Sequence, residues 1–178
     1  MKQGVIAGIA SLCILAGPAV FGADSGKPQR NESSIQREVR HEVATLSRYT
    51  IFDNIAYRVD GTRVTLMGQV TQPVLKDDAG SAVKGIDGVT AVDNQIEVLP
   101  LSPMDWQIRR AVFRAIYDNE ELYRYQLAPS IHIIVKNGDV TLLGAVMNEM
   151  DRNIAGIQAN QVSGVFHVTN NLQIDSNL

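Results

Sequence analysis

The sequence predicts an α+β protein made of two tandem α-β-β-α-β units. Three observations carry this prediction. The stretch "VTLMGQV" at 64–70 returns as "VTLLGAV" at 140–146, an offset of 76 positions from Val64 to Val140. At the same offset Gly88 meets Gly164, Val92 meets Val168 and Asn94 meets Asn170. Upstream, Ile35, Val39 and Val43 match Ile108, Val112 and Ile116 at an offset of 73, so a three-residue indel separates the first helix of each copy from its first strand. Two copies are too few for a solenoid, which needs at least about three stacked repeats.

The elements follow in order. Ser33 and Ser34 offer an N-cap, and Ile35, Val39, Val43 and Leu46 follow at helical spacing, with Arg37, Arg40 and His41 on the polar side. Ile55, Tyr57 and Val59 alternate as in a half-buried strand, Asp60 and Gly61 signal a hairpin, and 64–70 is the return strand. Gly68 inside that strand signals a bulge or a close backbone approach. A helix is expected after Pro73 up to Gly85, and 89–98 supplies one final strand. The second unit repeats the order: helix 105–118, strand 131–136, a turn at Asn137 and Gly138, strand 139–146, helix 148–161 and strand 165–174. The expected organisation is 1–23 signal peptide, 24–32 flexible leader, 33–99 first domain, 100–104 linker and 105–178 second domain.

Residues 1–23 carry one Lys, no acid and an apolar run broken by Gly, Ser and Pro, as in a secretory signal peptide cut after Gly22 or Ala23. The alternative is a retained N-terminal anchor, for which the run is short. The only Cys, Cys13, follows Leu12 rather than a small residue, so lipidation is not expected. The exported chain would then have no thiol and no disulfide, which fits a bacterial periplasm. A formal net charge of −3 excludes a globally basic nucleic-acid binder.

The paired elements "VDGTRVTLMGQV" with "VKNGDVTLLGAV", and "GVTAVDNQIEV" with "GVFHVTNNLQI", resemble the BON domain family over roughly residues 33–176. The resemblance implies that each unit is a small three-stranded mixed sheet with two helices on one face. It also implies an envelope protein, associated with osmotic stress and envelope integrity, that binds phospholipid or other envelope surfaces and is not catalytic. No catalytic residue carries over. Some double-domain members are lipoproteins, a feature not expected here.

The residues themselves carry no pattern of catalytic or metal-binding chemistry. His41, His132 and His167 lack metal-ligand spacing, there is no G-x-S-x-G elbow or phosphate loop, and Asp77 with Asp78 reads as a solvated helix face. No cofactor and no metal are expected. One feature stands out, the helix "DWQIRRAVFRAIYD". Ile108, Ala111, Val112, Ala115 and Ile116 form its core stripe, while Trp106, Arg110, Phe113 and Tyr117 gather on the other side, flanked by Arg109 and Arg114. The matching face of the first helix has no aromatic. Trp and Tyr favour the wet–apolar boundary of a bilayer and Arg pairs with phosphate. These six residues are therefore the expected lipid-binding set, with an anionic phospholipid membrane surface as peripheral partner. Tyr123, Arg124 and Tyr125 would extend the patch. Two alternatives stand beside this: Trp106 and Phe113 pack against the first domain or the linker, or the chain is a periplasmic protein-binding, chaperone-like module that holds envelope proteins at strand edges such as the one near "QIDSNL".

Overall fold

The computed structural model describes residues 32–176; the expected signal peptide, its cleavage site, Cys13 and nearly all of the leader lie outside the described residues. The first unit runs α1 (Glu32–Ala44), β1 (Asn54–Asp60), β2 (Arg63–Val70), α2 (Pro73–Lys84), β3 (Ala91–Asn94) and β4 (Glu97–Val98). The second runs α3 (Pro103–Tyr117), β5 (Ile131–Lys136), β6 (Asp139–Val146), α4 (Glu149–Asn160), β7 (His167–Asn170) and β8 (Gln173–Ile174). Each unit is an α+β sheet-and-helix layer. β2 lies between β1, antiparallel to it, and β3 with β4, parallel to it. β6 holds the same place between β5 and β7 with β8.

Period-two alternation decides which face is buried. Val64, Leu66 and Val70 of β2 point to one side and pack against Ile35, Val39 and Val43 of α1 and Leu75, Ala79 and Val83 of α2. Val140, Leu142 and Val146 do the same beneath Ile108, Val112 and Ile116 of α3 and Ala155 and Ala159 of α4. Both helices of each unit therefore lie on one face of its sheet.

Two sequence expectations are corrected. The final strand of each unit is not continuous: it breaks after Asn94 and again after Asn170. At the first break the Asn94 amide donates to Lys76 O (2.8 Å) while its Oδ1 accepts from Ile96 N (3.3 Å). Asn170 repeats this with Arg152 O (2.7 Å) and Leu172 N (3.3 Å). Gly80 and Gly156 leave room for these side chains, since a Cβ on either would come within 2.7 Å of the Asn amide nitrogen. The repeated Asn thus stitches helix to sheet, and that is the physical content of its recurrence. The second correction is a 3₁₀ segment at Glu120–Gln126, which the sequence pattern did not indicate.

Residues 49–53, between α1 and β1, reach out of the first domain and dock on the second. Ile133 N, on the open side of edge strand β5, donates to Ile51 O (2.7 Å), and His132 Nδ1 lies 2.7 Å from Asp53 O. The loop is clamped from within. The Asp53 carboxylate, fully buried, accepts from Thr50 N and Oγ1 and from Thr71 N and Oγ1 at 2.6 to 3.0 Å. Lys136 Nζ adds an ion pair across the domains with Glu97 Oε1 at 2.6 Å.

Candidate functional surface

Helix α3 begins where Ser102 caps it: Ser102 Oγ accepts from Asp105 N (3.1 Å), and Pro103 takes the first helical position, where no N–H is needed. Ile108, Val112 and Ile116 face the core. A second stripe, offset by one residue, faces the β5–β6 hairpin. On it the buried Asp105 carboxylate accepts from Asn137 N and Gly138 N, both at 2.9 Å, and so holds the hairpin turn. Asn137 at φ 53° and Gly138 at φ 84° give that turn two left-handed residues.

The six expected residues divide. Trp106 (49% exposed), Phe113 (37%), Arg110 and Arg114 reach the surface. Trp106, Arg110 and Arg114, with Gln107 and Ala111, line an open hollow on α3. Arg109 and Tyr117 do not reach the surface, at 4% and 1% exposed, and their placement on a water-facing side is corrected. α3 packs one stripe on its own core and the next on the hairpin, so less of its girdle is free than a single apolar stripe suggests. Arg109 Nη2 donates to Val135 O (2.7 Å), while its Nε is buried without a hydrogen-bond partner among the described residues. Burial pulls its pKa below the ordinary arginine value, against the opposing charges of Asp105 and Asp53. The Tyr117 hydroxyl donates to Ile131 O (2.8 Å) and accepts from Ile131 N (3.3 Å), and burial pushes its pKa up to about 12.

The expected extension divides too. Tyr123 is exposed, and Arg124 is partly exposed, 3.8 Å from Asp151 Oδ2. Tyr125 is buried: it donates to Asp151 Oδ2 (2.6 Å) and accepts from Met147 N (2.8 Å), tying the 3₁₀ segment to α4. Burial, then the Asp151 hydrogen bond, raise its pKa.

The sequence reading missed Phe52. Its ring comes from the first domain and meets Trp106 at 5.9 Å between centroids and Phe113 at 6.3 Å, edge-on at 67° and 71°. Two consecutive large apolar residues, Ile51 and Phe52, in a loop closed by Thr50 and Asp53 were the available signal. Trp106 and Phe113 thus do touch the first domain, while both keep exposed surface.

Among the described residues no group of three or more His, Cys, Asp or Glu is placed to hold a metal ion, and no helix is long and apolar enough to cross a membrane. His132 is partnered by a backbone carbonyl and lies against the Tyr49 ring (5.6 Å).

The comparisons with known proteins give the lineage. The chain is 32% identical over 109 residues to the outer membrane lipoprotein DolP of Haemophilus influenzae, a match over 58% of this chain and 53% of that protein. It therefore spans about half the length of that relative. Among solved structures, the C-terminal domain of CdsD, a structural protein of the Type III secretion system of Chlamydia trachomatis, superposes with a TM-score of 0.32 at 12% identity, covering 78% of this chain and 96% of that one. A second CdsD structure gives 0.32 at 11% identity, with 81% and 94% covered. The family model described as BON domain matches residues 31–100 and again 105–176. The chain belongs to the BON domain family, which it carries twice in tandem.

Proposed function

We propose that this is a non-enzymatic cell-envelope protein, exported to the periplasm, that binds anionic phospholipid surfaces peripherally through its second domain and supports envelope integrity or osmotic-stress tolerance. The observation that carries this reading is the exposed face of α3, where Trp106 and Phe113 stand beside Arg110 and Arg114. An indole and a phenyl ring fit the interface between headgroup and acyl chain, and guanidinium groups fit phosphate. Each arginine near an anionic leaflet contributes on the order of 1 kcal/mol, and the rings add apolar burial. The contact set is thereby narrowed to Trp106, Arg110, Phe113 and Arg114, with Arg109 and Tyr117 holding the helix in place. The outer-membrane description of the DolP relative supports the envelope location.

The test is co-sedimentation of residues 24–178 with neutral and anionic vesicles at low and high salt. Binding is expected with anionic vesicles only, weakened by salt, and reduced roughly tenfold by Trp106→Ala and by Arg110→Glu. Absence of binding, with unchanged Trp106 emission, sinks the lipid reading. A second reading, a protein-binding module, draws on β7, which among the described residues ends its sheet with one edge unpaired, beside the exposed Phe166. Arg110→Glu should leave that activity intact.

A further inference from the structure

Trp106 and Phe113 lie seven residues apart on α3, about 10 Å along the helix axis, too far to form one surface by themselves. Phe52 fills the interval, edge-on to both rings. Phe113 in turn meets the Tyr117 ring at 5.0 Å, so its orientation is fixed from both sides. We infer that Phe52, from the first domain, is a positioning residue of the phospholipid-contact face: it joins two separated aromatics of the second domain into one continuous apolar surface. The inference rests on the lipid reading above and deepens it, because the contact face then belongs to both domains.

A lid is the obvious competing role for this loop, and the geometry speaks against it. A lid must leave easily. This loop is held by Ile133 N on Ile51 O, by His132 Nδ1 on Asp53 O, and by four hydrogen bonds on a buried carboxylate. Nor does it hide the rings, since Trp106 keeps about half of its surface. Phe52 also packs against the buried core of the second domain, together with Ile51. Its removal offers little new charge to a membrane. Arg109 is committed to Val135 O, and Arg110 and Arg114 are already exposed.

Trp106 is the only tryptophan in the chain, so its emission reports on this surface directly. The experiment titrates residues 24–178 with vesicles of mixed phosphatidylglycerol and phosphatidylcholine, following Trp106 emission and its quenching by brominated acyl chains. Phe52→Ala is expected to weaken binding roughly three- to tenfold, the scale of losing edge-to-ring contacts, and to reduce quenching. Phe52→Tyr should restore both. Phe52→Leu, with similar bulk but no ring, should weaken binding with an unchanged far-UV spectrum and guards against a folding artefact. Equal or tighter binding by Phe52→Ala or Phe52→Leu, with the unaltered chain binding normally, overturns the inference and leaves the lipid reading standing. Failure of the unaltered chain to bind removes both.

Discussion

Tyr117 places a hydroxyl where water does not reach, and its chemistry shows what α3 is held by. Both polar functions of the OH are spent on the backbone of Ile131, at the start of β5. The phenolate is disfavoured there, and the folded pKa of about 12 stands above the ordinary value of 10. A folded pKa raised above the unfolded one means that the folded state holds the proton longer. The stabilisation is complete below pH 10 and is lost as pH rises from about 10 to about 12. Two units correspond to on the order of 2 to 3 kcal/mol. Tyr49 and Tyr125 are shifted in the same direction, chiefly by burial, and add to the alkaline loss. Tyr117→Phe is therefore expected to be less stable than the unaltered chain at pH 7, because Ile131 N and O lose their partner. Its urea midpoint should also fall less steeply between pH 10 and 12. An identical slope in the two proteins would falsify the assignment of that titration to Tyr117.

The elements were legible wherever their cause is local. Ile35, Val39 and Val43 on α1 and the alternation in β1 and β2 mark themselves by period, and the structure buries those positions. The break in the final strands was not legible. Asn94 and Asn170 sit in a strand-like run, and what stops the strand is a hydrogen bond to a helix carbonyl eighteen residues away. The division within the α3 stripe was hidden for the same reason: Arg109 is buried with its guanidinium on the Val135 carbonyl of β5, which no helical wheel displays. Gly68 and Gly144 fall between these cases. The place of Gly68 in a strand signalled a close approach or a bulge; the pairing register runs through Gly68 without interruption, while at Gly144 it begins, opposite Ile131. Close approach is the answer, since a Cβ on Gly144 would collide with the carbonyl of Ser130, and one on Gly68 with that of Asn54. Gly144 also has φ 106°, whereas Gly61, at φ 61°, has open space around it. Gly144→Ala should cost on the order of 3 kcal/mol or more, from strain and collision together. Gly61→Ala should cost about 1 kcal/mol, from the left-handed backbone alone. Chemical denaturation of the two variants measures the difference, and equal costs would show that the strand relaxes around Gly144.

At the scale of the whole molecule the two domains are joined by more than the linker, and the join can be read from one domain to the other. Asp53 belongs to the first domain and is fully buried; its carboxylate accepts from Thr50 and Thr71 of that domain, while its backbone O lies 2.7 Å from His132 Nδ1 of the second. The carboxylate also acts on the second domain through the loop it shapes, which presents Ile51 O to β5 and the Phe52 ring to Trp106. Asp53→Ala removes the acceptor for two backbone donors and two hydroxyls at once. Thr71 N, partly buried, loses its acceptor at a cost of up to about 1 to 3 kcal/mol, and Thr50 N, on an exposed residue, turns to water at less cost, so the loop should loosen before the first sheet does. Trp106, in the other domain, should report it through red-shifted emission and faster acrylamide quenching in buffer, with no vesicles present. In urea, the Trp106 and far-UV transitions of the unaltered chain should coincide, because docking and folding are coupled through this loop. In the Asp53→Ala chain the Trp106 transition should come first. If Trp106 emission is the same in both chains, the loop does not hold the domains together. The join would then rest on the buried Leu99 at the linker and the Lys136 to Glu97 pair, and Phe52 would be a passenger on the α3 surface.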